Sequence, residues 1–386
     1  MQIVADENIP YVREAFSTLG HVRTVNGRTL GRTDLDKTDI LLVRSVTPVT
    51  PSLLKGTAVR FVGTATIGFD HIDLDYLRQH DIGFANAPGS NAESTAEYVI
   101  SALLITATQQ HFQLKDKVVG IIGCGNVGSK VFQKLQALGV ACLRYDPPLR
   151  DKTSVTHYVD LKDIFTADIL TLHVPLEKEG RYPTYQMINA DFLEKLREDV
   201  ILINTSRGKI MVEPVLLAHL ATHPKMNVIL DVWDNEPHIN HSLLQRALLG
   251  TPHIAGYSLD GKARGTEMLY QAACAQLHCP VTWQASDFLP PAPITALSFS
   301  NSIDEAKAIF LAVITCYDVR QDDATLRLIH STTTPSEFFD QLRKNYSVRR
   351  EFSSLNIEIP QQHATIARQL RGLGFEITPT TSHSTL

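Results

Sequence analysis

The stretch Val118-Val-Gly-Ile-Ile-Gly-Cys-Gly-Asn-Val-Gly128 decides the fold of this 386-residue chain. It opens with a short apolar run typical of a buried strand and continues as a GxGxxG pattern. That pattern alone recurs by chance, but here it joins a strand to a helical segment at Val127–Leu138, as a dinucleotide-binding turn requires. Gly123 permits the tight turn, Gly125 lets a pyrophosphate approach the backbone, and Gly128 lets the helix pack on the strand.

Asp146 strengthens this interpretation because it follows the next predicted strand, Val140–Tyr145. A carboxylate at that position accepts hydrogen bonds from the adenosine ribose and repels a 2′-phosphate, which favours NAD over NADP. The alternative is a structural turn with an N-capping or surface aspartate. Cys124 inside the turn is small enough to be tolerated there, and a reactive thiol is the less favoured interpretation.

Strands and helices alternate on both sides of this motif. The other predicted strands are Gln2–Ala5, His21–Val25, Ile40–Arg44, Val59–Gly63, Asp168–His173, Val200–Asn204 and Val228–Leu230. The other predicted helices are Pro10–Leu19 and Ala92–Thr108. This alternation predicts an α/β fold with two Rossmann-like, doubly wound domains built on parallel sheets.

The proline-rich stretch Phe288–Pro293 is the clearest linker, because it cannot continue a helix or a central strand. Helical segments at Ile303–Thr315 and Thr334–Asn345 and an alternating segment at Ser354–Ile359 follow it. We therefore predict three domains: a first domain of residues 1–93 and 257–287, an NAD-binding domain of residues 94–256 inserted within it, and an α+β C-terminal domain of residues 288–386.

Composition excludes several classes of protein. Hydrophobic residues make up 44% and charged residues 20%, and the net charge of −5 gives no reason to expect nucleic acid as a partner. The five cysteines form no CxxC pair and are odd in number, which favours a reduced intracellular protein. The acidic N-terminal segment is unlike a signal peptide, and no uninterrupted apolar run is long enough to span a membrane. We expect a cytoplasmic protein without a membrane partner and without a metal site.

Three predicted strand exits carry residues suited to hydroxy acid chemistry: Arg207, Glu236 and His253. Ligands bind outside the carboxyl ends of strands in open α/β sheets, so these exits can converge on one crevice. His253 would take the hydroxyl proton as hydride leaves, and Glu236 would orient the imidazole. Arg207 would bind the substrate carboxylate with paired hydrogen bonds and polarise the reacting oxygen.

Each of these residues also has a purely structural alternative. Arg207 could be a surface salt-bridge partner, Glu236 could end a strand, and His253 could be a loop histidine. Asp231, at the end of the strand whose exit also carries Glu236, could bind the nicotinamide amide or ribose, or could cap a turn.

The sequence resembles the D-isomer-specific 2-hydroxyacid dehydrogenases over roughly residues 1–280. The matching features are Gly123–Gly128 with Asp146, Thr205–Gly208, Asp231–Glu236 and Pro252-His253. The resemblance implies that the first domain binds substrate, that the active site lies between it and the NAD-binding domain, and that the protein is a homodimer. It also implies a set of cofactor contacts at Gly123, Gly125, Asn126, Val127, Gly128, Asp146, Pro175, Ser206, Asp231 and Gly256.

A narrower resemblance points to family members that act on a phosphorylated hydroxy acid. It rests on Arg44–Thr47, Val62–His71 and the extra C-terminal domain with Tyr317–Arg320, Lys344–Tyr346 and Arg349–Glu351, and it implies a dimerisation role for that domain. Ser45, Thr66 and Tyr257 match substrate-binding positions.

A phosphorylated substrate also requires cationic groups to neutralise its phosphate. Arginine suits phosphate geometry, and Arg44 is the first candidate. Arg349 and Arg350 could contribute across a dimer, or could form a solvated basic surface beside Glu351.

Two other functions compete with this one. The first is a dehydrogenase for another D-2-hydroxy acid, of the glycerate, phosphoglycerate or lactate type. The second is a non-catalytic, NAD-sensing corepressor on the same scaffold, which would show negligible turnover.

Overall fold

A computed structural model describes residues 1–153 and 157–380. The strands are β1 Gln2–Asp6, β2 His21–Val25, β3 Ile40–Val43, β4 Phe61–Thr64, β5 Gly83–Ala85, β6 Val118–Ile122, β7 Ala141–Tyr145, β8 Ile169–Leu172, β9 Ile201–Asn204, β10 Asn227–Leu230, β11 Leu249–Gly250, β12 Ala296–Ser298, β13 Asn356–Pro360 and β14 Glu376–Thr380. The helices are α1 Val12–Phe16, α2 Pro51–Leu54, α3 Leu74–Gln79, α4 Ala92–Gln109, α5 Asn126–Ala137, α6 Pro147–Lys152, α7 Leu161–Ile164, α8 Ala190–Leu193, α9 Glu213–Thr222, α10 His241–Arg246, α11 Leu259–Leu277, α12 Glu305–Cys316, α13 Val319–Arg327, α14 Pro335–Lys344 and α15 Ala364–Leu373.

The chain divides into two compact units. The first unit comprises Met1–Asn91 and Ser258–Pro291, and the second comprises Ala92–Tyr257 and Ala292–Leu386. The first unit is therefore discontinuous in the sequence. The residues predicted as a separate C-terminal domain cluster with the NAD-binding segment instead.

The first unit is built on a parallel sheet with the strand order β2-β1-β3-β4-β5. All four residues of β3 and all four of β4 are buried. Runs of buried apolar residues are typical of parallel strands, because helices cover both faces of such a sheet. Helix α11 belongs to this unit and buries Leu269 and Tyr270 against the core. The sequence analysis missed α11 and β5.

The second unit contains a six-stranded parallel sheet with the order β11-β10-β9-β8-β6-β7. The strand order reverses at β6, since β7 lies on one side of it and β8 on the other. In doubly wound folds this switch point opens a crevice outside the carboxyl ends of the strands. The glycine turn leaves β6 at that point, which is where a dinucleotide is expected.

The C-terminal region, residues 292–380, adds a small parallel sheet of order β12-β13-β14 and the helices α12–α15. It shares a continuous core with the NAD-binding segment, in which Phe352 and Leu370 belong to the same buried cluster as Leu103 and Val131. Helix α15 packs on α5, and α12 packs on α4. The prolines at 290–293 mark the change of unit, but the region after them is not an independent core.

Candidate active site

His253 and Glu236 form a hydrogen-bonded pair in the second unit. The distance from His253 Nδ1 to Glu236 Oε2 is 2.7 Å. His253 Nε2 makes no hydrogen bond within residues 1–153 and 157–380, so a ligand could contact this ring nitrogen. This geometry is that of a base oriented by a carboxylate.

The loop that carries His253 is fixed by Asp231. The Oδ1 atom of Asp231 accepts hydrogen bonds from the Thr251 hydroxyl at 2.7 Å and from the Ile254 N–H at 2.8 Å, and its Oδ2 accepts from the Ala255 N–H at 3.0 Å. His253 itself has a φ of 57° and donates its N–H to the Asp231 carbonyl at 2.7 Å. Burial raises the pKa of Asp231, while His253 and these donors oppose the rise. Asp231 thus caps the turn that presents the imidazole, and its predicted cofactor contact stays a prediction.

Glu236 lies in a loop in which two consecutive backbone N–H groups donate to carboxylates. Its own Oε1 accepts from the Trp233 N–H at 2.9 Å, and Glu213 accepts from the Asp234 N–H at 2.7 Å. Burial alone would raise the pKa of Glu236, but His253, the Trp233 N–H and Arg343 together lower it below its usual range. The carboxylate is therefore ionised at neutral pH and can stabilise a positively charged imidazole.

Arg207 follows β9 in an exposed turn. Its Nη1 donates to the Ser206 carbonyl at 2.7 Å, and its own carbonyl accepts from Asn204 Nδ2 at 3.0 Å. A Cβ on the next residue, Gly208, would lie 1.9 Å from the carbonyl carbon of Trp233. Glycine at that position therefore lets the Arg207 turn lie directly against the main chain of the loop that leads to Glu236.

The glycine turn fits a bound dinucleotide. Gly123 has a φ of 87°, and a Cβ there would lie 2.6 Å from the His173 carbonyl. A Cβ at Gly128 would lie 1.9 Å from the Gly123 carbonyl, so neither position admits a side chain. A Cβ at Gly125, in contrast, would meet no atom within 4 Å. The backbone at Gly125 is thus open on the side from which a pyrophosphate would approach the start of α5.

Asp146 holds the same turn from the end of β7. Its Oδ2 accepts from the Cys124 N–H at 2.8 Å, and its Oδ1 caps α6 through the Leu149 N–H at 2.9 Å. Each carboxylate oxygen has a second lone pair, so the capping role and the predicted ribose contact are compatible. Burial, with the charge of Asp146, raises the pKa of Cys124 to about 12, which leaves a neutral thiol.

The remaining predicted cofactor residues of the second unit lie at the same ends of its strands. Asn126 and Val127 are the first residues of α5, Pro175 is exposed shortly after β8, and Ser206 donates its hydroxyl to the Leu172 carbonyl at 2.5 Å. Gly256 follows the turn that Asp231 caps. The predicted substrate residue Tyr257 accepts a hydrogen bond from Arg343 Nη2 at 3.1 Å.

The other predicted substrate residues lie in the first unit. Arg44 and Ser45 directly follow β3. Arg44 is half-buried, and its side chain makes no hydrogen bond or ion pair within the described residues. Thr66 donates its hydroxyl to the Gly68 carbonyl at 2.8 Å and lies 2.7 Å from the Thr64 hydroxyl.

Both expectations for Arg349 were wrong. Arg349 is only 5% exposed, so it is not part of a solvated basic surface. Its Nη1 donates to the Ala255 carbonyl at 3.0 Å, and its Nη2 donates to the Ser94 carbonyl at 2.7 Å. The same Nη2 lies 3.6 Å from Glu97 Oε2. The guanidinium also stacks 3.6 Å from the ring centroid of Tyr317. It is thus committed to holding the main chain beside His253 and is not available to a phosphate.

Sequence reasoning missed further residues of the C-terminal region that contact this loop. Asp323 accepts from the Gly250 N–H at 2.7 Å, and Arg327 donates to the carbonyls of Leu244 at 3.0 Å and Ala247 at 2.9 Å. Their only sequence signal was the i, i+4 spacing of an acid and an arginine, which is also common on solvated helix faces.

Comparison with known proteins identifies the family. Residues 97–255 match the model of the D-isomer specific 2-hydroxyacid dehydrogenase NAD-binding domain, and residues 288–374 match a domain of unknown function. An erythronate-4-phosphate dehydrogenase of Marinobacter nauticus is 46% identical over 98% of this chain and 100% of its own length. One of Proteus mirabilis is 45% identical over 98% of this chain and 100% of its own length. The chain belongs to the erythronate-4-phosphate dehydrogenase family.

Solved structures extend the likeness to the wider family. An NAD⁺-bound 3-phosphoglycerate dehydrogenase of Entamoeba histolytica has a TM-score of 0.61 and 25% identity, covering 74% of this chain and 98% of that one. A D-lactate dehydrogenase of Aquifex aeolicus, complexed with NAD and lactic acid, has a TM-score of 0.55 and 25% identity, covering 72% of this chain and 96% of that one. The predicted family, the α/β fold class and NAD as the cofactor are confirmed, and the protein is an NAD-dependent oxidoreductase acting on a CH–OH group.

Two further findings concern the described residues alone. Within residues 1–153 and 157–380, no helix has both the length and the apolar character needed to cross a membrane. The same part of the chain holds no group of three or more His, Cys, Asp or Glu side chains arranged to bind a metal ion.

Proposed function

We propose that this protein oxidises 4-phospho-D-erythronate to 3-hydroxy-2-oxo-4-phosphooxybutanoate with NAD, a step of pyridoxal 5′-phosphate biosynthesis. The observation that carries the proposal is the 2.7 Å pair of His253 and Glu236 in a chain whose relatives with nearly complete coverage are named erythronate-4-phosphate dehydrogenases. The reaction fits the pair, because oxidation of a 2-hydroxy acid requires a base that is neutral before proton transfer and stabilised afterwards.

His253 is the proposed proton acceptor. Its Nδ1 is engaged by Glu236, so Nε2 takes the proton of the C2 hydroxyl group. The Gly123–Gly128 turn would hold the NAD, whose nicotinamide would supply the acceptor for the hydride from C2. Glu236 keeps the imidazole in the tautomer that has a free Nε2 and stabilises the imidazolium formed on proton transfer. In the reverse direction the same imidazolium returns the proton to the 2-oxo group.

Arg207 is the proposed carboxylate ligand. Its exposed side chain has donors beyond the one used on Ser206, and a guanidinium can bind a carboxylate through two parallel hydrogen bonds. Arg44, with Ser45 and Thr66, is the proposed phosphate side of the substrate site. The absence of any side-chain partner for Arg44 within the described residues supports that role.

The decisive test is substrate profiling of the purified protein. NADH absorbance would be followed with NAD and 4-phospho-D-erythronate, D-erythronate, D-3-phosphoglycerate or D-lactate, and the reverse reaction would be run because alcohol oxidation can stall at equilibrium. Preference for phosphoerythronate is expected. Preference for another acid would overturn the substrate while keeping the chemistry, and no turnover in either direction would favour the corepressor function.

We also propose that the protein is a cytoplasmic homodimer that pairs through the C-terminal region. Large apolar side chains are exposed there at Ile294, Leu328 and Val348, which are 48%, 57% and 62% exposed. Apolar surface of this kind is common at interfaces between subunits. Light scattering on the full chain should give twice the monomer mass, and a Val348→Asp variant should shift it toward the monomer.

A further inference from the structure

Arg343 is a half-buried cation beside the His253–Glu236 pair, and neither the sequence analysis nor the proposed mechanism uses it. It lies in the last turn of α14. Its Nη2 donates to the Tyr257 hydroxyl at 3.1 Å, and its guanidinium carbon lies 5.7 Å from the centroid of the Tyr257 ring. Glu236 is close enough for the charge of Arg343 to contribute to the lowering of its pKa.

The helix that carries Arg343 is firmly attached to the NAD-binding segment. Phe339, on the same helix, is completely buried in the core cluster that contains Leu230 and Trp233. At the start of the helix, Ser336 Oγ lies 2.5 Å from His238 Nδ1, two residues after Glu236. The helix therefore runs from the Glu236 loop to Tyr257, and the position of Arg343 is set by packing.

Arg343 has fewer partners than a buried guanidinium normally requires. Its one hydrogen bond within the described residues is the bond to Tyr257, and its Nε is buried without a partner. It forms no ion pair with any carboxylate there. Removing a guanidinium from water is costly unless an anion pairs with it, so this arrangement points to an anion that binds in the functional complex.

We propose that Arg343 binds the phosphate group of the substrate. The inference rests on the proposed function, which supplies a substrate with two anionic ends. Arg207 is assigned to the carboxylate, and a phosphate that carries close to two negative charges requires cations of its own. Arg343 would make the C-terminal region a determinant of substrate specificity, because it contributes a phosphate ligand beside the substrate residue Tyr257.

The alternative role for Arg343 is purely electrostatic. Its charge could serve only to keep Glu236 ionised, in which case it would be a positioning residue for the catalytic pair. The two roles differ in what they change. Loss of a phosphate ligand weakens only phosphorylated substrates, whereas loss of a charge beside Glu236 moves the pH profile with every substrate.

The test compares Arg343→Met with Lys344→Met, which removes an exposed cation from the next position of the same helix. We expect Arg343→Met to lower kcat/KM for 4-phospho-D-erythronate roughly 10- to 100-fold, as for loss of a hydrogen bond to a charged group. For D-erythronate we expect a change of less than about threefold. Because the charge of Arg343 also lowers the pKa of Glu236, any shift of the pH profile should be the same with both substrates. Lys344→Met should change kcat/KM by less than about twofold for either substrate. Equal losses of kcat/KM on both substrates would overturn phosphate binding by Arg343.

A second measurement separates this proposal from the proposed function. Inorganic phosphate would be titrated into the wild-type protein with NAD, and the heat of binding would be measured by calorimetry. Arg343→Met, or Arg343→Gln if the methionine variant does not fold, should abolish a phosphate binding that Lys344→Met retains. If wild-type protein turned over no phosphorylated acid but lost phosphate binding on substitution of Arg343, the function would fail and the anion site would stand. Unchanged phosphate binding in a folded Arg343 variant would refute the site.

Discussion

Replacing Glu236 by glutamine tests the role of the carboxylate that contacts His253. The substitution keeps the shape and an oxygen near Nδ1 but removes the negative charge. A hydrogen bond to a charged group contributes roughly 1.5–3 kcal/mol, and 1.36 kcal/mol corresponds to one pH unit. The side chains of His253 and Glu236 are 31% and 18% exposed, so the pair is mostly shielded from water and this range applies to it. The pH limb that reports protonation of the pair should therefore move about one to two units toward lower pH.

This displacement has opposite consequences for the two directions of the reaction. Reduction of the 2-oxo acid needs the protonated imidazole, so its rate at neutral pH should fall roughly 10- to 100-fold. Oxidation needs the neutral imidazole, and at neutral pH His253 should stay neutral in the variant. The oxidation rate should therefore reflect only the lost stabilisation of the imidazolium that forms on proton transfer.

The assay is kcat/KM against pH in both directions, for wild-type protein and Glu236→Gln. Glu213→Gln is the matched control, since Glu213 accepts a hydrogen bond from the Asp234 N–H in the same loop without touching His253. The control should leave the limb within about half a unit of its wild-type position. If Glu236→Gln kept the wild-type limb, or if the control moved it equally, the assigned role of Glu236 would be wrong.

Four further substitutions test the surroundings of the site. Gly128→Ala should lower the melting temperature and weaken NAD binding, because its Cβ would lie 1.9 Å from the Gly123 carbonyl, whereas Gly125→Ala should keep the melting temperature and weaken only NAD binding. Thermal melts and binding calorimetry distinguish the two variants. A wild-type melting temperature for Gly128→Ala would count against the fold of the turn. Burial lowers the pKa of His173 from 6.5 to about 3. Between those pH values the unfolded chain binds a proton that the folded chain does not, so the stability of the fold should decrease as the pH drops through that window. The melting temperature of the His173→Gln variant should therefore decrease less steeply with falling pH than that of the wild-type protein. Arg349→Met should reduce the free energy of unfolding in urea by roughly 2–6 kcal/mol, since it leaves the carbonyls of Ala255 and Ser94 without this donor. A loss below about 1 kcal/mol would contradict these buried contacts.

The parts of the fold that the sequence predicted are those encoded by local patterns. The apolar run before Gly123 and the three glycines could only be a strand, a tight turn and a helix start, and the structure has them as β6 and α5. The exits of β9 and β10 were predictable for the same reason, because short buried runs end in polar residues. Helix α11 was missed because glycines and alanines interrupt its apolar stripe, and the three-residue strands β5 and β12 are too short to show alternation.

The Pro290–Pro293 segment lies where the chain passes from the first unit to the second. A proline-rich segment indicates that a helix or strand ends, but it does not indicate which core the following residues join. That depends on apolar faces far apart in sequence, such as Leu370 on α15 and Val131 on α5, which meet in one cluster. The partners of Arg349 were unpredictable for the same reason, since Ser94 and Ala255 contribute only main-chain carbonyls, which have no sequence signature.

These contacts change the role that the C-terminal region has in catalysis. The segment that carries His253 is held at Gly250 by Asp323 and at Ala255 by Arg349, on either side of the imidazole. A general base must be held within a fraction of an ångström of the proton that it accepts, so residues that fix its backbone contribute to the rate without touching the substrate. An added region that served only to pair subunits would have no reason to supply a buried arginine and an aspartate to this loop. The C-terminal region is therefore part of the scaffold that positions His253.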